Sequence, residues 1–218
     1  YDQIETSIGE SAPEVNAEIA RSVEKGGLIF NFTGHGSATR WTQETILNIT
    51  SASEFQNINQ LPLFVTATCE FGRHDNPMAI SGAEYLLLNP KGGAIGLLTT
   101  GRPVFSSTNF TLNKAFYQNV FQKEDGRFRS LGEVFRRTKN QSLNGSVNRN
   151  FSLLADPSMT LAYARDEVVL IADEEAYQPG DTLSALGTVK LKGQVLDING
   201  VINSTFNGSI FATVFDKP

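Results

Sequence analysis

Three short apolar runs, separated by segments of helical pattern, constrain the fold of this chain more strongly than any other feature of its sequence. They cover residues 28–32, 63–68 and 94–98, and each is about as long as a strand. Their apolar character continues along each run instead of alternating, which is typical of strands covered on both faces. The sequence therefore predicts an α/β domain with a mostly parallel sheet flanked by helices.

The segments around these runs supply the predicted helices. Residues 12–25 place Val15, Ile19 and Val23 four apart on one face, and a Gly pair follows at the end. Further helices are predicted over residues 42–48, 78–88, 110–121 and 131–139. Helical and strand patterns thus alternate through the first 165 residues.

The helical pattern disappears from about residue 166 onward. Strand-like runs cover residues 168–171, 188–195 and 209–214, and turn sequences at residues 179–181 and 199–200 separate them. Strands at this spacing predict the opening of a β-sandwich, although about 50 residues are too few for a whole immunoglobulin-like domain of roughly 100. We therefore predict one domain over residues 1–165 and the start of a second over residues 166–218.

Charge and composition exclude several classes of function. The 218 residues carry a formal net charge of −5 without a Lys/Arg run, so no nucleic-acid partner is expected. One cysteine excludes an internal disulfide, and no apolar run approaches the roughly 20 residues that span a bilayer. The two histidines and the acidic residues form no metal-binding pattern, so neither a metal nor another cofactor is expected. Since the chain begins at Tyr1 and stops abruptly, we expect a piece of a longer polypeptide.

The first two predicted strands each lead to a residue that can take part in nucleophilic catalysis. His35 lies in a Gly-rich turn after the first run, and Cys69 directly follows the second, 34 residues later. That separation allows one helical crossover, so both residues can meet at the carboxyl edge of the sheet. A thiol nucleophile needs a base and backbone donors for an oxyanion. The pattern predicts a His35–Cys69 dyad, with the N–H groups of Gly36 and Cys69 as the oxyanion hole.

Structural roles are the alternative for each of these residues, because a lone cysteine is most often a small buried apolar residue. His74, five residues beyond Cys69, is a second candidate for the base, but the loop would normally carry it away from the thiol. Trp41 and Arg102 follow the first and third strands and are candidates for the substrate groove. Thr100 lies in a segment that could pair with an extended peptide. For these three residues, surface packing is the alternative.

The segments around the two candidate catalytic residues resemble a known group of peptidases. A hydrophobic strand followed by Gly-His-Gly, and a second one followed by Ala-Thr-Cys, resembles the clan that includes caspases, legumains and gingipains. Residues 27–36 (GLIFNFTGHG) are similar to gingipain-type cysteine peptidases. Residues 66–77 (TATCEFGRHDNP) resemble one branch of them, the PorU-type sortases of the type IX secretion system of Bacteroidota. Supporting segments are residues 90–95, 151–159 and 181–186.

This resemblance implies both a fold and a function. It implies His35 as base, Cys69 as nucleophile, and a caspase/gingipain-like sheet followed by an Ig-like domain. Residues 1–165 would be the C-terminal part of the peptidase domain. The implied enzyme lies on the exterior of the outer membrane and removes C-terminal signal domains from exported cargo. It passes the cargo to a lipopolysaccharide-type acceptor or to water, and an outer-membrane anchor protein is a further candidate partner.

Two positions depart from the family pattern, and two other functions stay open. His74 stands where an aromatic residue is expected, and Ala155 stands where the family usually has Gly. The acidic residue that orients the histidine is expected earlier in the chain, either upstream of Tyr1 or at Asp2 or Glu5. The alternative functions are a secreted gingipain-like general protease and a non-catalytic surface adhesion or scaffold module.

Overall fold

The computed structural model describes residues 4–6, 9–142, 144–172, 175–176, 182, 188, 190–209 and 211. The chain divides into two compact units, residues 1–162 and residues 163–218. In the described residues, no helix is both long enough and apolar enough to span a membrane.

The first unit contains the helices and most of the strands. Its helices are α1 (Pro13–Lys25), α2 (Ile49–Glu54), α3 (Gly82–Leu88), α4 (Ser106–Val120) and α5 (Leu131–Ser142), with a 3-10 helix at Gly145–Asn150. Its strands are β1 (Ile4–Thr6), β2 (Gly9–Ser11), β3 (Ile29–Thr33), β4 (Arg40–Trp41), β5 (Leu47–Asn48), β6 (Leu63–Ala67), β7 (Gly96–Thr100), β8 (Lys123–Glu124), β9 (Arg127–Phe128) and β10 (Phe151–Leu154).

The main sheet has four strands in the order β10-β7-β6-β3. The pairs β3/β6 and β6/β7 are parallel, and β10 pairs antiparallel with β7. Every residue of β6 and β7 is buried, as expected for strands covered on both faces. The predicted α/β fold with a mostly parallel sheet is therefore confirmed, while the three apolar runs did not predict the antiparallel strand β10.

Helices cover both faces of this sheet. On one face, Phe64 and Leu97 pack in a core cluster with Val23 of α1, Ala52 of α2 and Leu86 of α3. Alternate residues of a strand point to opposite faces, so the neighbours of Phe64 and Leu97 along the strands face the other side. There α4 reaches the sheet through hydrogen bonds to β3 and to the end of β6. The sheet is thus a middle layer between helices.

Residues 42–48, predicted as a helix, instead complete a β-hairpin, and this prediction is wrong. β4 and β5 pair antiparallel with Trp41 opposite Leu47. Thr42 and Thr45 have φ values of 55° and 58°, in the left-handed region that a right-handed helix excludes. Nothing in the side chains of this segment signals such a turn, because threonine rarely adopts it.

The true helix α2 begins directly after the hairpin. The Asn48 side chain accepts a hydrogen bond from the Ser51 N–H at 2.9 Å, and the Ser51 hydroxyl accepts one from the Asn48 N–H at 3.0 Å. This reciprocal capping box fixes the start of the helix. The same device shortens the helix predicted over residues 78–88. Glu84 accepts from the Ser81 N–H at 2.8 Å, and the helix therefore starts at Gly82.

The second unit contains the strands β11 (Glu167–Ala172), β12 (Glu175–Ala176) and β13 (Leu191–Leu196), in an antiparallel sheet of order β12-β11-β13. The predicted turn at residues 199–200 is present, with Gly200 at a φ of 77°. Residues 179–181 and most of residues 209–214 lie outside the described part of the chain. The assignment of this unit as the start of an Ig-like sandwich stays a prediction.

Candidate active site

Two neighbouring strands of the main sheet end beside each other at its carboxyl edge. β3 and β6 are parallel, and their last paired residues are Thr33 and Ala67. His35 and Cys69 each lie two residues beyond this pair. The Gly34 N–H still donates to the Ala67 carbonyl at 3.4 Å, so the chains stay adjacent past the last pair. Since neighbouring strands lie about 4.8 Å apart, the register brings the backbones of His35 and Cys69 close together.

Cys69 lies on the face of the sheet that α4 covers. Thr33, two residues before His35, accepts a hydrogen bond from the Asn113 side chain of α4 at 3.1 Å. Ala67 is its register partner, and residues two apart in an extended chain face the same side. The Cys69 thiol accordingly lies 3.6 Å from the Val104 carbonyl oxygen, two residues before α4 begins.

Gly36 packs against the residue that precedes the cysteine. A Cβ atom built on Gly36 would lie 2.4 Å from Thr68 Oγ1, so only glycine permits this approach. Gly36 and Trp41 form an isolated antiparallel β-bridge. The hydrogen bonds of this bridge are made by the residues that flank the two partners. The Ser37 N–H donates to the Arg40 carbonyl and the Thr42 N–H donates to the His35 carbonyl, each at 2.9 Å.

That pattern leaves two backbone donors available at the site. Among the described residues, neither the Gly36 N–H nor the Cys69 N–H donates a hydrogen bond to another group. Both belong to turns that meet where Gly36 contacts Thr68. An oxyanion formed by thiol attack needs backbone donors of this kind, and the assignment of these two N–H groups to it stays a prediction.

The loop after Cys69 begins with a residue of unusual backbone conformation and contains His74. Glu70 has a φ of 57°, a strained conformation for a residue other than glycine, and its carboxylate pairs with Arg73 at 3.0 Å. His74 Nδ1 lies 2.9 Å from the Gly72 carbonyl oxygen, so this ring is engaged within its own loop. His35 is exposed, and within the described residues its ring has no hydrogen-bond partner. The side chains of Asp2 and Glu5 lie outside the described part of the chain.

Trp41 lies in the core and not in a groove, which corrects one expectation. Its side chain is 4% exposed and stacks on Phe32 with ring centroids 4.4 Å apart and an interplanar angle of 6°. Phe64 and Phe71 complete the aromatic group around it. The hairpin turns Trp41 back onto the sheet, where it supports the turn that carries His35.

Thr100 is also buried, which corrects a second expectation. It is fully inaccessible to solvent, and β10 already pairs with this strand, with Phe151 opposite Thr100. An extended peptide therefore has no free strand edge to join there. The Thr100 hydroxyl donates instead to the Thr68 carbonyl oxygen, one residue before Cys69.

Arg102 remains accessible at the carboxyl edge. Its guanidinium binds both carboxylate oxygens of Asp75, at 2.9 Å and 2.5 Å, with each side chain about half exposed. Hydrogen bonding to Arg102 lowers the pKa of Asp75 to about 2. The pair joins the loop after Cys69 to the loop after β7, and the contact of Arg102 with substrate stays a prediction.

Two cavities of the first unit lie away from the candidate site. One of about 590 Å³ is lined by Gly27, Leu61 and Ile95, just before β3, β6 and β7, and so lies at the opposite edge of the sheet. A second, of about 290 Å³, is lined by Tyr85 and Leu88 of α3 and residues around them. In the described ranges, no three His, Cys, Asp or Glu side chains cluster as a metal site.

Sequence reasoning missed three groups at the site. They are the buried hydroxyl of Thr68, the carbonyl oxygen of Val104 and the side chain of Asn109, which donates to the Ala67 carbonyl at 2.9 Å. A main-chain carbonyl leaves no mark in a sequence. Asn109 leaves a weak one, because a polar residue buried on the sheet-facing side of α4 is unusual unless it is hydrogen-bonded.

Solved peptidase structures share this fold. The crystal structure of the Arg-specific cysteine proteinase gingipain R (RgpB) matches with a TM-score of 0.60 and 16% identity, over 85% of this chain and 54% of that chain. The complex of Porphyromonas gingivalis RgpB pro- and mature domains matches with 0.60 and 16%, over 87% and 51%. A further protease structure matches with 0.57 and 12%, over 83% and 48%. The chain thus spans about half the length of these solved chains.

The family assignment comes from the sequence of the first unit. No curated protein matches the chain. Residues 1–162, well over half of the 218 residues, match peptidase family C25. The matched region contains both strand ends described above and the whole main sheet. The chain belongs to peptidase family C25.

Proposed function

We propose that this chain carries the reacting groups of a cysteine endopeptidase, with Cys69 as nucleophile and His35 as general base. The observation that carries this proposal is the parallel register of β3 and β6, in which both residues follow the Thr33–Ala67 pair by the same two positions. Family membership supports thiol chemistry at this edge. The free N–H groups of Gly36 and Cys69 support an oxyanion hole beside the thiol.

The proposed reaction follows from these positions. His35 removes the proton from the Cys69 thiol, and the sulfur attacks the carbonyl carbon of the scissile peptide bond. The carbonyl oxygen becomes an oxyanion that accepts hydrogen bonds from the N–H groups of Gly36 and Cys69. When the C–N bond breaks, His35 gives its proton to the leaving amine and a thioester remains. Water or an amine then attacks the thioester, His35 takes the attacker's proton, and the thiol is released.

A sortase role is the finer part of the proposal. The TATCEF segment and the residues that follow it, including Arg73 and Asp75, resemble the PorU-type branch more than a general digestive protease. A thioester can be resolved by an amino group as well as by water, so one site can both remove a signal domain and attach cargo to a surface acceptor. We therefore propose exported cargo with C-terminal signal domains as substrate and the outer-membrane exterior as the place of action.

A substrate panel tests both levels of this proposal. Purified cargo proteins with and without their C-terminal signal domains are incubated with the full chain, and casein serves as a general substrate. We expect cleavage of signal-bearing cargo alone, and a loss of at least about 10³-fold in Cys69→Ala and His35→Ala. Asn59→Ala, an exposed position far from the site, is the matched control.

Three other outcomes separate the alternatives. Equal cleavage of casein would favour a general protease and contradict the sortase role. Full cleavage by Cys69→Ala would contradict cysteine catalysis altogether, and no cleavage by any form would favour a non-catalytic module.

A further inference from the structure

A buried hydrogen bond reaches the candidate site from the next strand of the sheet. Thr100, the last residue of β7, donates from its hydroxyl to the carbonyl oxygen of Thr68. Both residues are fully inaccessible to solvent. The regular parallel ladder between the two strands ends earlier, at the pair Val65–Leu98. The Thr100 hydroxyl therefore binds the Thr68 carbonyl oxygen beyond the point where the backbone hydrogen bonds of the ladder end.

The peptide group held in this way is the one that carries the Cys69 N–H. The described chain contains no cis peptide bond, so the Thr68 carbonyl and the Cys69 N–H lie in one plane and point in opposite directions. Fixing the carbonyl towards Thr100 consequently fixes the N–H on the opposite side. A hydrogen bond accepted by a carbonyl also polarises its peptide group and strengthens the N–H as a donor.

We propose that Thr100 is a positioning residue for the oxyanion hole, acting through the Thr68–Cys69 peptide group. This rests on the proposed function, because it assigns the Cys69 N–H to the oxyanion. Two features of the surroundings support a fixed peptide group at this point. The buried Thr68 side chain packs closely against Gly36, and the residue after Cys69 has the strained φ of 57°. The peptide is thus restrained from both sides and from its carbonyl.

Three variants of the full chain test the assignment. Thr100→Val keeps the shape of the side chain and removes the hydroxyl, and Thr100→Ser keeps the hydroxyl. Thr100→Ala removes the hydroxyl with a smaller side chain, should the valine variant not fold. The readouts are kcat and KM for cleavage of a signal-bearing cargo, the inhibition constant of a peptide aldehyde, and the alkylation rate of Cys69 by iodoacetamide. The aldehyde forms a hemithioacetal whose oxyanion needs the hole, whereas alkylation does not.

We expect Thr100→Val to lower kcat by about tenfold or more, somewhat below the 10²–10³ typical of losing a whole oxyanion donor. The affinity for the aldehyde should fall by a similar factor, while KM and the alkylation rate stay within about twofold. Thr100→Ser should restore kcat and aldehyde affinity. Thr100→Ala should behave like Thr100→Val.

Several results would overturn the assignment. An unchanged kcat in Thr100→Val and Thr100→Ala would overturn it. So would an equal fall in the alkylation rate of Cys69 and in the affinity for the aldehyde, because that would indicate that the hydroxyl has only a structural role. Failure of Thr100→Ser to restore kcat would also count against it. If the wild-type chain neither cleaves cargo nor binds the aldehyde through Cys69, the proposed function fails and the role of Thr100 fails with it. If the wild type and Thr100→Val are both fully active, only the role of Thr100 is overturned.

Discussion

Gly36 lies so close to Thr68 that the candidate site leaves no room for a side chain at this position. Replacing it with alanine would place a Cβ 2.4 Å from Thr68 Oγ1, and Thr68 is fully buried and cannot move aside. We expect Gly36→Ala to lower the free energy of unfolding by about 1–3 kcal/mol, typical of overpacking. Cleavage should fall more steeply, because the turn bearing His35 must shift.

Gly101 supplies the matched control, since a Cβ there would meet its nearest atom at 3.7 Å, an ordinary contact. Chemical denaturation and cargo cleavage of Gly36→Ala and Gly101→Ala give the comparison. Equal behaviour of the two variants would show that the close approach of Gly36 to Thr68 is not needed.

The ion pair between Asp75 and Arg102 depends on pH, because the Asp75 carboxyl must be ionised. Hydrogen bonding to Arg102 lowers the pKa of the Asp75 carboxyl from its usual 3.8 to about 2. The contribution of the pair to stability is therefore complete at neutral pH and is lost as the pH falls from about 4 towards 2. Asp75→Asn should unfold at a slightly lower denaturant concentration than the wild type at pH 6, and at the same concentration near pH 2. A difference that persists at pH 2 would speak against this pairing; Asp125→Asn serves as the control.

At the scale of single residues, the sequence selected His35, Cys69 and Gly36 as candidates because each follows a strand of recognisable pattern, and their catalytic roles stay a proposal. It was not sufficient for Trp41 and Thr100, which were expected at the groove and are buried. Their burial depends on a hairpin and on an antiparallel strand, β10, that only the folded chain brings alongside β7. Side-chain type alone does not reveal which strand edge is already occupied.

At the scale of elements, Asn57 joins two connections that lie before strands of the main sheet. Its side chain accepts from the Gly93 N–H at 2.7 Å, and donates to the carbonyls of Gly93 and Gln60 at 3.1 Å and 3.2 Å. The residue is 4% exposed, so removal of its amide leaves buried backbone groups without partners. We expect Asn57→Ala to lower the free energy of unfolding by about 1–3 kcal/mol.

The exposed neighbour Asn59 gives the comparison, with an expected change within about 0.5 kcal/mol for Asn59→Ala. Urea denaturation followed by circular dichroism measures both. Coinciding unfolding curves would refute a stabilising role for the Asn57 side chain.

The strands of the parallel sheet were predictable because burial on both faces demands apolar residues throughout, and β6 and β7 meet that demand at every position. The ends of the helices were harder to predict. α2 and α3 start at capping boxes formed by Asn48 with Ser51 and by Ser81 with Glu84. Such pairs occur often by chance in a sequence rich in polar residues. The sequence therefore placed a helix over residues 42–48, which belong to the hairpin, and started the next helix at residue 78 instead of Gly82.

At the scale of the whole molecule, the first unit and the family match coincide at Ala162. The change from helical to strand pattern near residue 166 predicted a boundary close to this point. The nature of the second unit was harder to predict, because short antiparallel strands are common to many β folds. The chain spans about half the length of the solved peptidases that share its fold.

The central claim is that Cys69, assisted by His35, forms a thioester with the substrate. The most direct test is acid quenching of the full chain during turnover of a signal-bearing cargo, followed by peptide mass spectrometry. We predict a cargo fragment joined to Cys69, absent in Cys69→Ala and reduced at least about 10³-fold in His35→Ala. Cleavage of cargo in the wild type without any adduct on Cys69, together with undiminished cleavage by Cys69→Ala, would contradict the claim.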